Sequence, residues 1–187
     1  LALPAFWGFV AVAVIHGAIF TGFSVHLIPL LVERGSSLDG AVLAFTLIGP
    51  VQVAARIGIA ATERFVSVRM IGLLTTLIPV AAFLLLFAVT PGSWMLYLFT
   101  LLYGAANGMM TIVRAVLPIE IFGREDYGAI QGMISAPATI SKAAAPFLFG
   151  LVWALEQSYG PVQWLALAGA AASAACFALL VLPQRRA

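Results

Sequence analysis

Four residues stand where long apolar segments rarely carry polar groups: His16, Arg56, Arg114 and Lys142. A basic residue at the centre of a bilayer costs roughly 2.5–3.5 kcal/mol on insertion scales, so such groups face a cavity or a partner rather than lipid. No acid lies well within any of these segments, and Glu120 stands only at the end of one. The interior is therefore net positive. Unless another chain supplies acids, the group that matches it is an anion.

Lys142 is the strongest candidate. It lies about 20 Å from the nearer membrane edge, counting 1.5 Å per residue from Ala129, which is too deep for its ammonium to snorkel to water. Gln131, Ser135, Ala138 and Lys142 fall on one helical face, with Thr139 beside it. A polar stripe of this kind suits a water-lined cavity, and the alternative is a structural pair with an acid elsewhere. Arg114 shares a small, polar face with Gly104, Asn107, Gly108 and Thr111, which either packs closely on another helix or lines a path. Gln52 lies one turn from Arg56. Arg56 either joins that path or pairs with Glu63 or Glu120 in a charge network at the membrane edge that also includes Arg64, and Arg114 could pair with Glu120. The expected binding set is thus Lys142, Arg114, Asn107, Ser135, Thr139 and Gln52. His16, near the middle of its segment, has a side chain whose ordinary pKa of about 6.5 suits proton coupling, although a neutral histidine bonded to a neighbouring helix fits equally. His26 reads as interfacial. Gly17, Thr21 and Ser24 read as a helix-contact stripe, and Phe20 and Phe23 as core.

The elements that position these groups follow from composition. Of 187 residues, 63% are hydrophobic and 9% charged, against about 45–50% and 25% in soluble domains. The surplus apolar surface calls for lipid. Six runs are long enough to cross it: Phe6–Val32, Leu38–Ala61, Val68–Val89, Trp94–Ile119, Ala129–Leu155 and Val162–Leu182. Breakers fill the connectors, and Pro29, Pro50, Pro79, Pro118, Pro137 and Pro146 fall inside spans, which membrane helices tolerate. Connectors alternate between two sides. One side receives Arg64, Arg69, Arg124, Arg185 and Arg186, the other only Arg34. The positive-inside rule then puts both ends of the segment in the cytoplasm. Trp94, Tyr97, Trp153, Tyr159 and Trp164 fit an aromatic belt on the outer side, and Trp7 and Tyr127 one on the inner side. Cys176, the single cysteine, reads as a small buried hydrophobe. A net charge of +2 gives no nucleic-acid footprint.

A shift of 87 residues lays Pro4 on Pro91, Gly17-Ala18 on Gly104-Ala105, Asp39 on Asp126 and Pro50 on Pro137. The matches keep the span order, first on fourth, second on fifth, third on sixth. Two units of three helices, 1–92 and 93–187, follow. An odd number of crossings inverts the second, giving an inverted repeat.

The connector Arg56-Ile57-Gly58-Ile59-Ala60-Ala61-Thr62-Glu63-Arg64-Phe65 resembles the cytoplasmic loop signature of the major facilitator superfamily. Glu63 stands for the usual Asp, and Ile59 occupies an expected glycine position. Leu117–Arg124 followed by Tyr127–Gly132 is similar to the passage between fourth and fifth helices in that family's C-terminal half, as is Ala145–Gly150. The stretch Gly22–Leu31 resembles bacterial proteins similar to monocarboxylate transporters. The resemblance covers essentially the whole chain. It implies an all-α membrane protein, a six-helix bundle forming the C-terminal half of a twelve-helix transporter whose N-terminal six-helix half lies upstream. The lack of an initiator methionine points the same way. It implies secondary active transport of a small, anionic organic solute by alternating access, in a bacterial cytoplasmic membrane. Drug efflux on the same scaffold, a six-helix channel and a non-transporting membrane subunit are the alternatives. The sequence carries no phosphate-binding Gly-rich loop, no His-Glu-x-x-His and no nucleophile elbow, so no cofactor, metal or enzymatic activity is expected.

Overall fold

In hydrocarbon a backbone must satisfy its own hydrogen bonds, which leaves the helix as the form open to long apolar segments. A computed structural model of the chain describes residues 3–62 and 64–181. It contains α1 (Leu3–Glu33), α2 (Leu38–Thr62), α3 (Val68–Ala88), α4 (Met95–Phe122), α5 (Tyr127–Glu156) and α6 (Gly160–Val181). Each of the six is long and apolar enough to cross a membrane, and no strand occurs among the described residues. The chain has the build of an integral membrane protein. Expected and observed helix ends agree within three residues. All six internal prolines lie inside helices, as anticipated. Glu63, Arg185 and Arg186 lie outside the described residues.

Local chemistry sets the boundaries. Ser67 caps α3 by accepting a hydrogen bond from the Met70 N–H at 3.3 Å. Gly123 ends α4 with a φ of 84°, a backbone conformation that costs glycine little. Asp126 and Gln157 flank α5 with positive φ although neither is glycine.

The helices pair selectively. α1 packs along α5 and α6, α4 along α2 and α3, and α3 meets α6. Exchanging α1 with α4, α2 with α5 and α3 with α6 turns this set of pairings into itself. Two glycines 87 residues apart each lie at a helix crossing, one of α1 with α5 and one of α4 with α2. Gly17 of α1 lies against Lys142 of α5, and Gly104 of α4 lies against Ile48 and Val51 of α2. α2 and α5 are the least buried helices.

Two apolar clusters fill the bundle. One surrounds Phe23, Phe83, Phe99 and Tyr103, whose rings approach to 4.8–6.3 Å. The other gathers Phe9, Val113, Leu117, Ile134 and Phe177 nearer the opposite end.

A polar network ties the end where α1 finishes. The Arg34 guanidinium donates to the Leu86 carbonyl at 2.8 Å and to the side-chain oxygen of Gln163. Gln163, fully buried, donates in turn to the Phe83 carbonyl at 3.2 Å. The Glu33 carboxylate accepts from the Tyr159 N–H at 2.9 Å. His26 joins this end of the bundle, bonded to the Pro146 carbonyl at 3.0 Å and to the hydroxyl of Tyr159, which precedes α6, at 3.4 Å. Burial and the Glu33 charge push the Tyr159 phenol above its ordinary range, so it keeps its proton at neutral pH. α1, α3, α5 and α6 are thereby fastened at one end. At the other end the described residues hold one ion pair, Arg69 to Glu120 at 2.7 Å, and it is exposed.

Candidate functional site

A cleft of about 450 Å³ opens between α1, α4 and α5. α1 contributes His16, Gly17, Phe20 and Thr21, spaced as neighbours on one helical face. α4 contributes Asn107, Met110, Thr111, Arg114 and Ala115, and α5 contributes Gln131 and Lys142. Close helix crossings create this arrangement. A Cβ on Gly108 would stand 2.5 Å from the Gln52 carbonyl oxygen, so α4 presses its glycines on α2. The Asn107–Thr111–Arg114 side of α4 is left to line the cleft. A Cβ on Gly22 would stand 2.9 Å from the Phe149 ring, so α1 seats the side chains of α5 against its glycine.

Lys142 enters along the same seam. Its stem lies over Gly17, where a Cβ would come within 2.9 Å of Cε and 3.2 Å of Cγ. Next to it Ser141 donates to the Val14 carbonyl at 3.0 Å and fixes the local register of α5 on α1. Lys142 and Arg114 lie within electrostatic reach of each other and of His16. Among the described residues no acid lines the cleft. Three buried polar atoms of the lining make no hydrogen bond: His16 Nε2, Arg114 Nε and Gln131 Oε1. Two cations and two amides, Asn107 and Gln131, thus face one water-accessible space inside an apolar bundle. A guanidinium offers a planar fork of donors and an ammonium a compact point charge. Together they can hold a carboxylate or similar oxyanion by charge-assisted hydrogen bonds.

Of the residues expected from sequence, Lys142, Arg114, Asn107 and His16 come together here. Ser135, Thr139 and Gln52 do not line the cleft. The α5 stripe is interrupted by Ala138, which is fully buried in the core, while Thr139 is exposed. Gln52 lends its backbone to the contact with Gly108. The expected charge network also differs. Arg56 donates to the Thr111 hydroxyl at 3.4 Å rather than pairing with Glu120, whose partner is Arg69. Arg114 forms no ion pair with Glu120 either. Arg64 lies over the Phe65 ring, 4.8 Å from its centroid. Glu63, the remaining member, is outside the described residues.

Sequence reasoning missed Gly17, Phe20 and Thr21 as lining, reading them as helix contact and core. Phe23 is core as expected, fully buried, but Phe20 stacks on Tyr103 at 4.8 Å with part of its ring on the cleft. The signal was present in helical spacing: Gly17, Phe20 and Thr21 share the face of His16. No family model, curated protein or solved structure matches the chain.

Proposed function

We propose that the chain is one six-helix bundle of a secondary active transporter of the major facilitator type, moving a small organic anion by alternating access. The observation that carries the reading is the cleft itself: Arg114 and Lys142 face one polar space within the spans, and no acid among the described residues faces it. The principal helix pairings support a three-plus-three repeat, since exchanging the two halves leaves the contacts of α1 and α4 and the α3–α6 contact unchanged, and an odd number of helices per half would make it inverted. The exposure of α2 and α5 fits a second six-helix unit, the N-terminal half of such a transporter, closing the cleft from the other side. In this reading His16 is the candidate for coupling transport to protons.

Anion recognition has a direct test. In the purified full-length protein, lactate and succinate are expected to raise the thermal unfolding midpoint saturably, because a ligand bound only by the folded state stabilises it. Lactamide, nearly the same shape as lactate but uncharged, is expected to leave the midpoint in place. Stabilisation by lactamide equal to that by lactate, or by an organic cation and by neither anion, would reject the anion reading.

The same reading places Arg64, Arg69 and Arg124 on the cytoplasmic side of a bacterial inner membrane and Arg34 outside. With Cys176 replaced by alanine, a cysteine at Thr90 should react with a membrane-impermeant maleimide in intact cells. A cysteine at Phe65 should react only after lysis. The reverse pattern inverts the topology.

A further inference from the structure

His16 borders a second space. Behind the cleft, α1, α3, α4 and α6 leave a void of about 10 Å³, bordered by His16, Phe20, Thr76, Tyr103 and Ser173 among others. That is the size at which a single water fits. His16 and Ser173 are both more than nine-tenths buried. His16 Nε2 and Ser173 Oγ both lack a hydrogen-bond partner. Buried polar atoms in folded proteins are rarely left so, and an internal water is the usual remedy where space allows. We propose that this void binds one water molecule that bridges His16 of α1 to Ser173 of α6.

Pairing both protons of the water sets the direction of the bonds. Thr76 donates its hydroxyl proton to the Gly72 and Leu73 carbonyls at 3.2 and 3.0 Å, so toward the water it can only accept. Ser173 bonds no carbonyl of its own helix, so its proton has only the water to go to. The water then accepts from Ser173, and its own two protons go to Thr76 Oγ1 and His16 Nε2. A ring nitrogen that accepts carries no proton, so the imidazole proton sits on Nδ1. His16 is thereby held in the Nδ1–H tautomer, and the same ring meets the cleft as a hydrogen-bond donor beside Arg114 and Lys142. Its use toward a solute rests on the anion reading; the water and the tautomer do not.

The test is an experimental structure of the full-length protein at a resolution that shows ordered water, together with imidazole ¹⁵N spectra. Density for one water within hydrogen-bond distance of His16 Nε2 and Ser173 Oγ is expected, with His16 as the Nδ1–H tautomer at neutral pH. Ser173→Val removes the donor and fills the void, and is expected to abolish the density and shift the His16 resonances. Ser173→Thr keeps the hydroxyl and should preserve both. A direct His16–Ser173 bond without water, an Nε2–H tautomer in the wild type, or resonances indifferent to Ser173→Val would overturn the proposal. If the valine variant does not fold, the wild-type density and tautomer decide alone.

Discussion

Lys142→Gln is expected to weaken anion binding and transport by roughly ten- to a hundredfold, the equivalent of losing one hydrogen bond to a charged group, about 1.5–3 kcal/mol. Its folding should change little. Lys142 has no acid partner among the described residues, so neutralising it leaves no buried carboxylate unpaired. Lys142→Arg should recover only part of the activity, because a planar fork must enter a seam shaped for a narrow stem over Gly17. Gly17→Ala offers an independent handle. The new methyl meets the flexible end of the lysine rather than backbone, so it should displace the ammonium with a small effect on unfolding. The measurement is anion counterflow in proteoliposomes alongside thermal unfolding in detergent. Wild-type counterflow from Lys142→Gln would remove this residue from the site. A matching collapse of stability would instead reveal an ion pair with an acid contributed from outside the described residues.

Gly108→Val should be the most destabilising of the glycine substitutions on α4. Its Cβ would stand 2.5, 2.9 and 3.0 Å from the carbonyl oxygen, Cα and carbonyl carbon of Gln52. These are backbone atoms of α2, which cannot rotate away, so the two helices must separate along their whole crossing. Overpacking costs about 1–3 kcal/mol, and a backbone clash belongs at the upper end. Gly104→Ala, with contacts no closer than 3.1 Å, should cost less. Gly49→Ala meets nothing within 4 Å and should be neutral or slightly stabilising, since alanine favours helix over glycine. Denaturant or thermal unfolding of the three variants gives the ranking. Equal stability of Gly108→Val and Gly49→Ala would contradict the close α2–α4 crossing.

The spans are legible in the sequence because a bilayer imposes one requirement on every residue in it, and breakers mark where that requirement ends. Ser67 begins α3 and Gly123 ends α4 for reasons that belong to those residues alone. Positive φ at Asp126 and Gln157 carries no such signal. The site is legible in part for the same reason. Arg114, Lys142, Asn107 and His16 are too polar for lipid, so an apolar bundle must give them a common space. Which neighbour covers a given face is a property of two helices, and one helix's spacing does not contain it. Ala138 shows the difference. It lies in the middle of the polar α5 stripe yet is sealed in the core, while Gln131 and Lys142 on either side of it reach the cleft and Ser135 and Thr139 do not. Glu120 failed in another way: its nearest cation in space, Arg69, lies 51 positions away on α3, where sequence offered Arg56 and Arg114 with equal right.

The cleft draws its walls from α1, α4 and α5 alone, while the network around Arg34 and Gln163 fastens α1 to α3 and α6 at one end. In the proposed transporter, solute choice and scaffold integrity would therefore occupy mostly different residues. A library confined to Thr21, Asn107, Thr111 and Gln131 would vary the walls without touching the two large apolar clusters, to which Met110 belongs and against which Phe20 packs. Under that proposal, such a division would let a lineage exchange one cargo for another by a few substitutions, each tolerated by a framework that does not have to be rebuilt. It also means that selection for a new cargo should enrich changes on three helices and leave α3 and α6 almost silent.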